Sequence, residues 1–111
     1  MQPGKPGSDF HSQVSACLER VSIPHEVEVA TWNQMMSTDI MLSDPAHKVV
    51  VEVDGPSHFS ANTLKMNGST LARNRLLETW GYQVVCIPYF EWPSDEEAQG
   101  DFVRTKLEPY L

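Results

Sequence analysis

Apolar positions change their period along the chain, and the changes mark out the elements. Phe10, Val14, Cys17, Leu18 and Val21 recur every three or four residues behind Ser8 and Asp9, both good N-caps. This spacing predicts a helix over 10–21, ending before Pro24. Val27 and Val29 then alternate with acids, which predicts a half-exposed strand over 25–30. Residues 32–36 fit either a turn or a strand. A short strand follows over 38–42, then the turn Ser43-Asp44-Pro45-Ala46, then the valine-rich run His47-Lys48-Val49-Val50-Val51-Glu52-Val53-Asp54. So short a turn makes the two strands an antiparallel hairpin. Residues 58–68 read as a polar loop. Ser69 or Thr70 then caps a helix running to Trp80, with Ala72, Leu76, Leu77 and Trp80 inward and Arg73, Asn74 and Glu78 outward. Gly81 ends it. A buried strand is predicted over 82–88. Pro93 and Ser94 open a last, acidic helix that turns Phe102, Val103 and Leu107 inward. Strand, helix and strand in that order favour a right-handed crossover and a parallel pair. The fold class is α/β, a mixed sheet with helices on both faces.

Length holds this to one domain, since 111 residues cannot build two cores. The Gly/Pro-rich start, 1–8, reads as a flexible leader, and 9–111 as the domain. No apolar run approaches the roughly 20 residues that span a bilayer, and no secretory signal is visible. Cys17 and Cys86 therefore read as reduced core thiols in a protein that is not secreted. Asn67-Gly68-Ser69 matches a glycosylation acceptor but reads, without that signal, as a turn and helix cap.

The formal charge of −7 argues against a nucleic-acid partner, but its distribution weakens that objection. Between Pro45 and Leu77 the charged side chains are Lys48, Lys65, Arg73 and Arg75 against Glu52 and Asp54. The acid excess lies towards the two ends.

Chemistry concentrates at the end of the valine run. Strand side chains alternate, so Glu52 and Asp54 project together while Val49, Val51 and Val53 fill the other face. With the turn centred near Pro45, Asp39 falls across from Val51 or Glu52. Adjacent acids at a buried strand end are costly unless something cationic sits between them. A divalent ion is the obvious candidate, and Mg2+ or Mn2+ suits carboxylate oxygens. Asp39 and Glu52 are then ligands, with Asp54 as third ligand or general base. His58, past the Gly55-Pro56 turn, is a candidate acid, base or phosphate contact. Lys48, Lys65, Arg73 and Arg75 are candidate phosphate contacts. Blander readings stand beside these. Asp54 can be a turn carboxylate, Asp39 can pair with Lys48 across the hairpin, and Arg73 and Arg75 can be a solvated helix face. Tyr89, Phe90 and Trp92 fit core or rim packing better than base stacking. His11, His25 and His47 show no ligand spacing.

Element order and residues together resemble the PD-(D/E)XK nucleases, the restriction-endonuclease-like three-layer fold. Thr38-Asp39 stands where Pro-Asp is usual there, and Glu52-Val53-Asp54 where Glu-x-Lys is usual. A closer resemblance is to the RAP domain of organellar RNA-processing proteins. It is carried by Val51-Glu52-Val53-Asp54-Gly55-Pro56-Ser57-His58-Phe59, Leu71 to Leu77, Gly81-Tyr82-Gln83-Val84-Val85 and Ile87-Pro88-Tyr89-Phe90-Glu91-Trp92. The resemblance implies single-stranded RNA as partner, a helical-repeat region elsewhere in a longer parent chain, and a mitochondrion or plastid as destination. It implies a metal-dependent RNA endonuclease or, alternatively, a catalytically silent RNA-binding module using the same pocket, or a protein-docking domain. Asp54 departs from the pattern, because it replaces the lysine that helps activate water or steady the phosphate.

Overall fold

The computed structural model describes residues 6–43, 48–55 and 65–111. The elements run α1 (Pro6–Arg20), β1 (His25–Ala30), β2 (Ser37–Leu42), β3 (Val49–Asp54), α2 (Gly68–Thr79), β4 (Gln83–Pro88) and α3 (Glu96–Leu107), with short 3-10 turns at Tyr89–Glu91 and Glu108–Tyr110. The sheet order is β1-β2-β3-β4. The first two pairings are antiparallel and β3 with β4 is parallel, as the meander and crossover predict. Among the described residues no helix is long and apolar enough to cross a membrane.

Alternation along β3 builds two unequal cores. Val49, Val51 and Val53 meet Val14, Cys17 and Leu18 of α1 and Val103 and Leu107 of α3, all almost fully buried. On the other face Val50 meets Leu77 of α2 and Tyr82. The ambiguous stretch 32–36 is a turn. Thr31 N–H donates to the Met36 carbonyl, and Gln34 takes a left-handed φ of 59°. This turn is fastened to the end of α2, because the Trp32 indole donates to the Trp80 carbonyl and the Trp32 amide to the Tyr82 hydroxyl. Trp92 lies between Phe10 and Phe102, with ring centroids 5.8 and 6.0 Å away, so it packs rather than offering a stacking face.

Three expectations need correction. α1 begins at Pro6 rather than at Phe10. The cap of α2 is Asn67, whose side chain accepts from the Thr70 amide, so the helix starts before Ser69. The third is the orientation of α2. Thr70 and Leu77 are buried and Arg73 and Asn74 are half-buried, whereas Ala72 is exposed and Leu76 is 41% exposed. Positions 70, 73, 74 and 77 form a single helical stripe, and it is mostly polar. The cause lies beneath it: next to Val50 the sheet offers the carboxylates of Glu52 and Asp54, so the helix brings donors to that end and a leucine to the other. At Gly81, φ is +97°, the left-handed conformation that lets the chain leave α2 for β4.

Candidate functional site

Backbone pairing between β2 and β3 is formed at Ile40 with Val51 and Met41 with Val50. One position further on, Asp39 stands across from Glu52, one of the two places the turn count allows. Here side chains replace backbone carbonyls as acceptors. The Asp39 amide donates to Glu52 Oε2 at 3.1 Å, and the Val53 amide donates to Asp39 Oδ2 at 2.9 Å. Each carboxylate thus accepts from a backbone amide of the neighbouring strand. On the other side, Val27 pairs with Ile40 and Val29 with Thr38, so Glu28 falls across from Asp39, with φ of 52°. β4 brings Cys86 alongside Glu52. One row across the sheet therefore reads Asp39, Glu52, Cys86, while Glu28 lines a separate hollow with His11, Ser12 and Ser15 of α1.

The positive charge that this row calls for comes from α2. Arg73 Nε donates to Glu52 Oε1 at 2.7 Å, and the same guanidinium donates to the Ser37 carbonyl on β2. The Glu52 side chain is 4% exposed and that of Arg73 is 32% exposed. Burial pushes the Glu52 carboxyl above its ordinary range, and the Asp39 charge adds to this; the Arg73 hydrogen bond opposes both. From α1, His11 Nε2 lies 3.3 Å from the Val53 carbonyl and 3.7 Å from Asp39 Oδ2. Sequence reasoning gives His11 no role. No local pattern marks it, since its partners lie on the central strands.

Asp39, Glu52 and Asp54 line a cleft of about 460 Å³ together with Asn67, Ser69, Thr70 and Arg73 from the start of α2. Asp54 is buried and hydrogen-bonded to the Cys86 thiol. Burial above all, with the Asp54 charge behind it, pushes that thiol up to about 12. Cys17 is buried and also raised, chiefly by burial. Both thiols are thereby kept protonated, and so unreactive, at neutral pH. Iodoacetamide at pH 8, followed by mass spectrometry, should leave both cysteines of the native chain unmodified over a period that alkylates both in urea.

The remaining predicted residues do not all converge. Among the described residues no group of three His, Cys, Asp or Glu side chains is arranged to hold a metal ion. Both Glu52 oxygens already receive protein donors, so the acids as folded do not form a cage. Lys48 stands at the other end of β3, roughly 13 Å along the strand from Glu52; it neither joins the cleft nor pairs with Asp39. Arg73 and Arg75 are not one clamp. Two helix positions separate them by about 200°, so Arg75 is exposed on the outer face while Arg73 points in. Lys65 is exposed just ahead of the Asn67 cap. His58 lies outside the described residues.

Comparison with known proteins places the chain. The RAP domain family model matches residues 51–106. A RAP domain-containing chloroplastic protein of Oryza sativa subsp. japonica is 32% identical over 98 residues, covering 86% of this chain and 14% of that protein. The mitochondrial FAST kinase domain-containing protein 1 of Mus musculus is 33% identical over 70 residues, covering 60% of this chain and 8% of that protein. The mitochondrial FAST kinase domain-containing protein 3 of Bos taurus is 33% identical over 67 residues, covering 60% of this chain and 10% of that protein. The chain thus spans a small fraction of the length of these relatives, all named for organelles, as the resemblance implies. Among solved structures, the catalytic domain of the homing endonuclease I-Bth0305I superimposes with a TM-score of 0.53 at 17% identity, covering 89% of this chain and 87% of that one. That likeness shows the endonuclease-like fold, with its mixed sheet between helices. A model match over half the chain settles the family: this chain belongs to the RAP domain family.

Proposed function

We propose that this RAP domain is the RNA-engaging module of an organellar protein, and that as folded it holds RNA without cutting it. The observation that carries the second half is the closure of Glu52. Arg73 and the Asp39 amide take its two oxygens, and Asp54 stands where the resembled nucleases carry lysine. RNA contact itself is supported by the family's organellar setting. Phosphates gain little from the acidic floor of the cleft. They are better met by exposed Lys65 ahead of α2 and exposed Arg75 on its outer face. The partner expected is single-stranded RNA, with target choice made by helical repeats elsewhere in the parent chain.

A second reading, metal-dependent RNA cleavage, is favoured by one observation: Asp39, Glu52 and Asp54 do line one open cleft. Asp39 and Glu52 would hold Mg2+ or Mn2+, and the ion would neutralise charge on the transferring phosphoryl group. That reading needs Arg73 to leave Glu52 first. The test incubates labelled single-stranded RNA with the wild type, Asp39→Ala and Glu52→Ala in each metal. Binding without cleavage in every metal is the expected result. Metal-dependent cleavage lost in both variants overturns it in favour of the second reading. No RNA binding even at low salt removes both and leaves docking of a protein on the acidic helices. Lys65→Ala and Arg75→Ala should each lower the slope of log affinity against log salt by about 1.

A further inference from the structure

We infer that Arg73 is the resident cation of the acidic row and that it shuts out the divalent ion these carboxylates would otherwise attract. This role belongs to the cleft alone and does not rest on the RNA reading. Asp39 and Glu52 stand side by side on β2 and β3, Asp54 follows on the same face of β3, and all three line one cleft. Such a row repels itself unless a positive charge is built in. Arg73 is not a surface residue that happens to fall nearby. It belongs to the inward stripe of α2, and its guanidinium bridges Glu52 on β3 and the Ser37 carbonyl on β2.

The choice of side chain fits that role. The planar fork of a guanidinium donates to two acceptors on different strands at once. With Glu52 Oε1 accepting from Arg73 and Oε2 from the Asp39 amide, both oxygens are engaged, and the guanidinium charge beside them repels a divalent ion. Asp39 Oδ2 is likewise held by the Val53 amide. Taking the guanidinium away reopens Glu52 Oε1 beside Asp39 and Asp54, in a cleft with room for a hydrated ion. Arg73 is thus a positioning residue, which fixes Glu52 and the entry of α2, and also a plug in a latent metal site.

The experiment titrates Mn2+ into the wild type, Arg73→Gln and the double variant Arg73→Gln/Glu52→Gln, with no RNA present. Thermal melting and the electron paramagnetic resonance signal of free Mn2+ are followed. The wild type should leave the free-ion signal intact and keep its Tm within about 1 °C. Arg73→Gln should melt lower without metal and gain about 5 °C or more in millimolar Mn2+, while the double variant gains nothing. Should Arg73→Gln fail to fold alone, recovery of its circular dichroism spectrum on adding Mn2+ is the expected result. Mn2+ uptake by the wild type equal to that of Arg73→Gln overturns the inference, and so does an Arg73→Gln variant that Mn2+ neither stabilises nor refolds. RNA binding measured separately stands or falls independently.

Discussion

Arg73→Ala should destabilise the domain by about 2 kcal/mol at pH 7 and by progressively less as the pH is lowered. Breaking a buried ion pair by removing one partner costs about 3–5 kcal/mol, because the other charge stays buried and unpaired. Glu52 meets that condition at 4% exposure, but Arg73 is 32% exposed, so the full figure is discounted for solvent screening. The pH dependence follows from the direction of the Glu52 shift. Its folded pKa is raised above the ordinary 4.5, so its ionisation costs stability as pH rises through the folded value. Removing Arg73 takes away the hydrogen bond and charge that hold the shift down, so the pKa rises further. The extra cost is fully present above the variant's folded pKa and vanishes below the wild type's, where Glu52 is protonated with or without its arginine. Urea melts of the wild type, Arg73→Ala, Glu52→Gln and the double variant, at pH 7 and at a series of lower pH values, measure it as a cycle. A coupling that does not fall at any lower pH would show that the pair is not what stabilises this end of the sheet.

The parts of this molecule that sequence reveals are those ruled by local counting. A hairpin fixes the sum of paired positions, so the turn near Pro45 is enough to place Asp39 across from Val51 or Glu52. The valine run can only be a buried strand, and the Gly81 break can only separate a helix from the next strand. These elements carry the mixed sheet, the crossover and the convergence of the three acids. What local counting misses is what lies opposite a face. An inward stripe on α2 drawn through Ala72, Leu76 and Trp80 assumes that buried means apolar, and the floor under that helix is carboxylate. From sequence, Arg73 therefore reads as a solvated charge or one arm of a phosphate clamp. The need for a cation among the acids is legible in the chain, but the cation arrives from within it, 21 residues beyond Glu52. His11 escapes sequence reasoning for the same cause, since its contact with Val53 spans 42 residues and no periodicity announces it.

The orientation of α2 makes the second large prediction, because two adjacent leucines should respond very differently. Leu77 is fully buried, against Val50 and Tyr82, and Leu76 is 41% exposed. Leu77→Ala should cost about 3 kcal/mol, the lost transfer energy plus the cavity left above Val50. Leu76→Ala should cost less than about 0.5 kcal/mol, as surface truncations do. The difference matters for the site as well as for stability. Val50, Leu77 and Tyr82 are the small core that seats the helix on this face, and Arg73 sits one turn back along it. A helix that loses Leu77 rocks on the sheet, which lengthens the reach from Arg73 to Glu52 and lets water to the carboxylates. Leu77→Ala should therefore also show the weakened pH-dependent coupling between Arg73 and Glu52, and Leu76→Ala should leave that coupling intact. Equal costs for the two leucines, or a larger one at Leu76, would mean that α2 presents its other face, and the ion pair beneath it would go with that result.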